Sequence, residues 1–149
     1  MKLNIVEIVM LAMLWASASA WVPFRAQTQY DMLEYMRDED HNVYVIFFYN
    51  SNQDSKENSE RMRQIVLQER GQIKQNVLEA FDNIIYGEID LASGEFDELA
   101  HDIGIETQDV LEYPTVVAVQ DGVGKWVHGP DLVQLIVPVV RALISRQTE

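Results

Sequence analysis

The run Val43-Tyr44-Val45-Ile46-Phe47-Phe48-Tyr49 places seven β-branched or aromatic residues in succession without a charge. In a half-exposed strand apolar and polar residues alternate, because neighbouring side chains point to opposite faces. Here both faces are apolar, so the run suits a strand covered on both sides. A sheet with such a strand needs a layer on each face, and the rest of the chain must supply those layers.

The flanking sequence reads as an alternation of helix and strand. Tyr30, Met32, Leu33 and Met36 are spaced for a short amphipathic helix that ends in the acidic turn Asp38-Glu39-Asp40. After Tyr49 the polar stretch Asn50 to Ser55 is turn-like, and Asp54 is expected to cap the next helix with Glu57 completing a capping box. Met62, Ile65, Val66, Ile73, Val77, Leu78 and Phe81 give that helix an apolar stripe, with a break or kink expected at Gly71. Ile84 to Asp90 reads as a second strand, and Phe96, Leu99, Ala100 and Ile103 as a short helix ending at Gly104. Thr115 to Gln120 and Lys125 to His128 are strands joined by the hairpin turn Asp121-Gly122. A last helix, capped by Asp131, carries Leu132, Leu135, Ile136, Val139, Val140 and Leu143, and Pro138 should bend it. Tyr113 and Trp126 are read as core residues.

Residues 1–24 differ from all of this. Lys2 precedes the apolar run Ile8 to Ala16, and Ala18-Ser19-Ala20 fits the small-x-small pattern of a signal-peptidase site. Glu7, in the first turns, is poorly placed for a cleavable leader. If retained, Leu3 to Val22 would make a helix of roughly 30 Å, long enough to cross a bilayer. Trp15, Trp21 and Tyr30 could then sit at an interface, and Asp31, Glu34, Asp38, Glu39 and Asp40 crowd the side away from Lys2. Positive charge stays inside, so the domain at 25–149 is expected on the non-cytosolic or non-matrix side.

The 149 residues include 24 acidic and 11 basic ones, a net charge of −13. Such a surface repels phosphate backbones, so no nucleic-acid partner is expected. The chain contains no cysteine. Disulfides, thiolate nucleophiles and cysteine-held zinc or iron–sulfur clusters are therefore excluded. His41, His101 and His128 are scattered, and no Asp-x-Asp-x-Asp-Gly loop occurs, so neither a metal site nor another cofactor is expected. Gly122-Val123-Gly124-Lys125 lacks the spacing of a phosphate loop and reads as part of the hairpin.

The order of elements resembles the thioredoxin fold over roughly residues 28–145. Val45 to Asn52 is similar to the strand and entry loop before the active site of protein disulfide isomerase domains. Tyr86-Gly87-Glu88-Ile89-Asp90 is similar to the family's next strand with its closing aspartate, and Tyr113-Pro114-Thr115 to its cis-proline turn. The resemblance implies a three-layer α/β/α sandwich with a mixed sheet of four to five strands, and an N-terminal hydrophobic helix precedes it. It further implies a cis Tyr113–Pro114 bond beside the active-site loop. The family's two cysteines would fall at Gln53 and Lys56, so Gln53-Asp54-Ser55-Lys56 replaces the Cys-x-x-Cys motif. The family's buried proton-shuttling acid would align with Phe47. An amide and an ammonium form no mixed disulfide, so no catalytic residue is assigned. Glu106 to Leu111 reads as an insertion that lines the old substrate groove with Gln53, Asp54, Ser55 and Tyr113.

These readings point to a non-enzymatic protein that binds other protein subunits, anchored in a membrane through residues 3–22. By analogy the favoured host is a respiratory-chain assembly of the mitochondrial inner membrane. The alternative is a soluble client-binding relative of the disulfide isomerases in the endoplasmic reticulum lumen, with its leader cleaved after Ala20.

Overall fold

Strand β2 (Val43–Tyr49) is the central strand of a five-stranded sheet, as its two apolar faces require. The computed structural model of the chain describes residues 22–24 and 28–147. In chain order, β1 (Val22–Phe24) is followed by α1 (Gln29–Arg37), β2, α2 (Lys56–Ile73), β3 (Ile84–Asp90), α3 (Asp97–Asp102) and α4 (Thr107–Glu112). The hairpin of β4 (Thr115–Gln120) and β5 (Val123–His128) then leads into α5 (Leu132–Arg146). The spatial order is β1-β3-β2-β4-β5, with β3 parallel to both β1 and β2, and the β4–β5 hairpin antiparallel.

Alternate residues of β2 feed two separate cores. Val43, Val45 and Phe47 meet Met62, Val66 and Ile73 of α2 and Leu132, Ile136 and Val140 of α5. Tyr44, Ile46 and Phe48 meet Met32 and Met36 of α1, Leu99 of α3 and Val110 of α4. This is the expected sandwich, a helical layer on each side of a mixed sheet.

Several local expectations change. Strand β1 lies inside residues 1–24, the segment expected to form the hydrophobic leader, and Pro23 is tolerated there because β1 is an edge strand. The hydrophobic helix itself lies outside the described residues. Among the described residues no helix is long and apolar enough to cross a membrane. Helix α2 is capped by Ser55 rather than Asp54: Asn58 N–H donates to Ser55 Oγ at 3.1 Å. It also runs straight through Gly71, where an added Cβ would meet nothing within 4 Å. A wider turn follows at Lys74–Leu78, closed by Glu79 N–H donating to the Lys74 carbonyl at 2.9 Å. Helix α5 contains Pro138 on its exposed side, as expected, but the Asp131 side chain makes no cap bond to it. Trp126 is not in the core but 44% exposed, because β5 forms the sheet edge.

The hairpin turn follows its sequence. Asp121 and Gly122 have φ of 51° and 75°, the doubly left-handed geometry that favours Asp-Gly between twisted strands. Gly124 in β5 is required for a different reason. A Cβ there would lie 2.1 Å from the Ala118 carbonyl oxygen of β4.

Candidate functional site

Parallel strands β2 and β3 end together, with Tyr49 paired to Asp90, and the loop after β2 starts at that edge. Asp90 holds the loop down. Its Oδ1 accepts from the N–H groups of Ser51 and Ala92, both at 3.0 Å, and its Oδ2 accepts from Ser51 Oγ at 2.5 Å. Asn50 then turns the chain: its Oδ1 accepts from Asn52 N–H at 2.9 Å, and its carbonyl from Gln53 Nε2 at 2.7 Å. These hydrogen bonds tie the loop to the end of β3 and to itself.

The four residues in the place of the cysteine motif have separate duties. Gln53 is half-buried and turned back onto Asn50. Asp54 is exposed and accepts from Asn58 Nδ2 at 2.6 Å. Ser55 caps α2, and its carbonyl accepts from Ser59 N–H at 3.0 Å. Lys56 is the first residue of α2 and exposed. Phe47 is completely buried in the core between the sheet, α2 and α5.

Helix α4, which covers most of the Glu106–Leu111 segment, faces the Gln53 loop across a cleft of about 670 Å³. Gln53, Asp54, Asn58 and Arg61 line one side, and Gln108, Asp109, Leu111 and Glu112 the other. Three carboxylates against one guanidinium make the cleft acidic. Ser55 and Tyr113, expected in the groove, are not among its lining residues.

The proline turn departs from the expectation. Among the described residues no peptide bond is cis, so Tyr113–Pro114 is trans. Tyr113 has φ −153° and ψ 148°, the extended conformation that a residue before proline prefers. Helix α4 delivers the chain so that an extended Tyr113 passes directly into β4, and the trans form is intrinsically favoured by roughly 0.5–1 kcal/mol. Pro114 and Thr115 are buried. Thr115 Oγ1 lies 2.9 Å from His128 Nδ1, and the Tyr113 ring meets the His128 ring edge-on with centroids 6.5 Å apart.

Tyr113 leads to a residue the sequence reading missed. Its hydroxyl donates to Glu69 Oε1 at 3.2 Å, and Glu69 is only 2% exposed. The other carboxyl oxygen, Oε2, has no hydrogen-bond partner among the described residues. Burial holds the Glu69 carboxyl above the ordinary glutamate range, the Tyr113 bond opposes that, and the Asp131 charge adds to it. The signal was in the sequence: Met62, Val66, Glu69 and Ile73 share one helical stripe. A second missed group binds α2 to β3. Arg70 Nε and Nη2 donate to both carboxyl oxygens of Glu88, which also accepts from Tyr86 Oη at 2.8 Å.

The described chain and this site define a thioredoxin-like fold in a protein without a cysteine. A thioredoxin from Trypanosoma brucei brucei matches with 11% identity and a TM-score of 0.54, covering 86% of this chain and 94% of that chain. A chain of the complex between ferredoxin:thioredoxin reductase and thioredoxin f2 matches with 17% identity and a TM-score of 0.50, covering 83% of this chain and 94% of that chain. At those identities the likeness is one of fold. No protein-family model matches the chain, and no curated protein matches its sequence. Without a thiol the fold carries out no thiol–disulfide exchange.

Proposed function

We propose that this chain is a redox-inactive, thioredoxin-like accessory subunit that binds other protein subunits of a membrane complex and is anchored through residues 3–22. The observation that carries this reading is the cleft between the Gln53–Lys56 loop and α4. The loop has no thiol, yet Asp90, Asn50 and the Ser55 cap hold it firmly, and α4 builds a wall opposite it. A preformed, polar surface of this kind serves recognition rather than covalent chemistry. Its acidic lining suits a polar or basic partner surface. The anchor rests on the apolar run Ile8–Ala16 and the charge asymmetry around it.

Asp109→Asn with Glu112→Gln tests the docking face, because the pair removes two of the three carboxylates that line the cleft. Both side chains are exposed, line the cleft and cap no helix. The pair should leave the unfolding midpoint of the chain unchanged while lowering its incorporation into the complex on native gels. Unchanged incorporation would remove the cleft as the docking face.

A further inference from the structure

Strand β5 is the outer strand of the sheet, and among the described residues nothing pairs with its free side. Its alternate backbone N–H and C=O groups are therefore open, and Val123 (54%) and Trp126 (44%) are exposed on it. An apolar depression adjoins the strand on each face of the sheet. On the α5 side a cavity of about 430 Å³ is lined by Val123, Pro138, Val139, Ala142 and Leu143. On the other side a cavity of about 280 Å³ is lined by Leu33, Met36, Ile103 and Trp126. Gly124 borders both, and with no side chain of its own it leaves the middle of the edge open.

Three of the four charged residues that line these cavities are of the minority sign. Lys125 borders both cavities, Arg146 the first and Arg37 the second, in a chain of net charge −13. Among the described residues none of the three has an ion-pair partner, although Asp102 also borders the second cavity. Unpaired cations beside an open strand and two apolar pockets form one composite surface. It shares no residue with the acidic cleft at Gln53.

We infer that β5 accepts an extended segment of a partner protein as a sixth strand, one carrying apolar residues for the two pockets and carboxylates for Lys125, Arg37 and Arg146. Backbone pairing supplies the affinity, and alternate side chains reach opposite faces to supply the specificity. A second copy of this chain is a poor occupant. In a two-fold antiparallel pairing of β5 strands centred on Gly124, Lys125 or Trp126, the two Lys125 residues fall opposite or diagonal to each other, where like charges repel. An acidic strand turns that repulsion into attraction.

The test uses the full chain in mild detergent and a ten-residue peptide of Val, Ile and Glu as the probe. Two control peptides accompany it, one with Lys in place of Glu and one with alternate residues replaced by Pro. Amide hydrogen exchange should show the Glu peptide protecting β5 amides, with protection lost at high salt and absent with either control. Lys125→Glu and, separately, Arg146→Glu should each abolish that protection while leaving exchange in β2 unchanged, which shows that the variants fold. Protection that survives both charge reversals, that falls on the Gln53 cleft, or that appears without peptide through self-association in sedimentation would overturn the inference.

Discussion

Replacing Asp90 by alanine removes three hydrogen bonds at once: those from Ser51 N–H, Ser51 Oγ and Ala92 N–H. Each such bond contributes about 0.5–1.5 kcal/mol net, and the groups left behind at Ser51 can turn to water because Ser51 is exposed. The total is about 2–3 kcal/mol, which for a chain of this size lowers the unfolding midpoint by about 4–12 °C. Asp90→Asn separates the role of shape from that of charge. Its remaining oxygen keeps both backbone N–H groups, and its amide can donate to Ser51 Oγ, so it should lose less than half as much. Circular dichroism melts and urea titrations of the three proteins give the comparison, with hydrogen exchange at Ser51 and Asn52 reporting the loop itself. An alanine variant within 0.5 kcal/mol of the parent, with loop exchange unchanged, would show that Asp90 does not fix the loop.

Four further outcomes follow from the same geometry. Gly124→Ala drives a Cβ to within 2.1 Å of the Ala118 carbonyl oxygen, and it should cost about 1–3 kcal/mol in urea unfolding, less up to about 1 kcal/mol from stiffening the unfolded chain. Burial raises the Glu69 carboxyl, so the stability of the fold falls as pH rises from the ordinary 4.5 through its raised value; Glu69→Met should flatten that part of the stability profile and stabilise the fold at neutral pH by about 1 kcal/mol. His41 is raised by its hydrogen bond to Asp121 at 2.9 Å, so the pair helps fully below pH 6.5 and is lost as pH rises through the raised value; His41→Asn, which tolerates the φ of 63°, should abolish that slope in urea midpoints. Gln53→Cys with Lys56→Cys should not confer full activity in insulin reduction, since Phe47 offers no proton shuttle, and the parent chain should show none.

What could be read from the sequence was what local patterning controls. Strand β2 has the bounds its apolar run predicts, and β4, the Asp121-Gly122 turn and most of α5 follow their periodicity. Where the reading failed, a tertiary contact decided. Gly71 costs a helix up to about 1 kcal/mol by propensity, but buried Val66 and Ile73 on either side keep α2 intact through it. Strand β1 has no alternation of its own and exists through its pairing with β3. The trans bond at Pro114 reflects the way α4 approaches β4, and a proline in sequence does not encode that approach. The residues of the candidate loop were legible because each stands in a polar turn after a strand. Their restraints were not, since the Ser51–Asp90 and His41–Asp121 contacts join residues 39 and 80 positions apart. Glu69 is the exception, visible in the helical stripe as a charge on the buried face.

The central claim, an anchored subunit that binds rather than catalyses, is tested most directly by one measurement. The tagged protein is purified natively in mild detergent, and mass spectrometry reads its own N-terminus and the stoichiometry of what accompanies it. The expected result is a retained apolar segment, membrane extraction only with detergent, and a fixed ratio to partner subunits that the Asp109→Asn and Glu112→Gln pair diminishes. A mature chain beginning at Trp21, recovered as a free monomer from the soluble fraction, would contradict it.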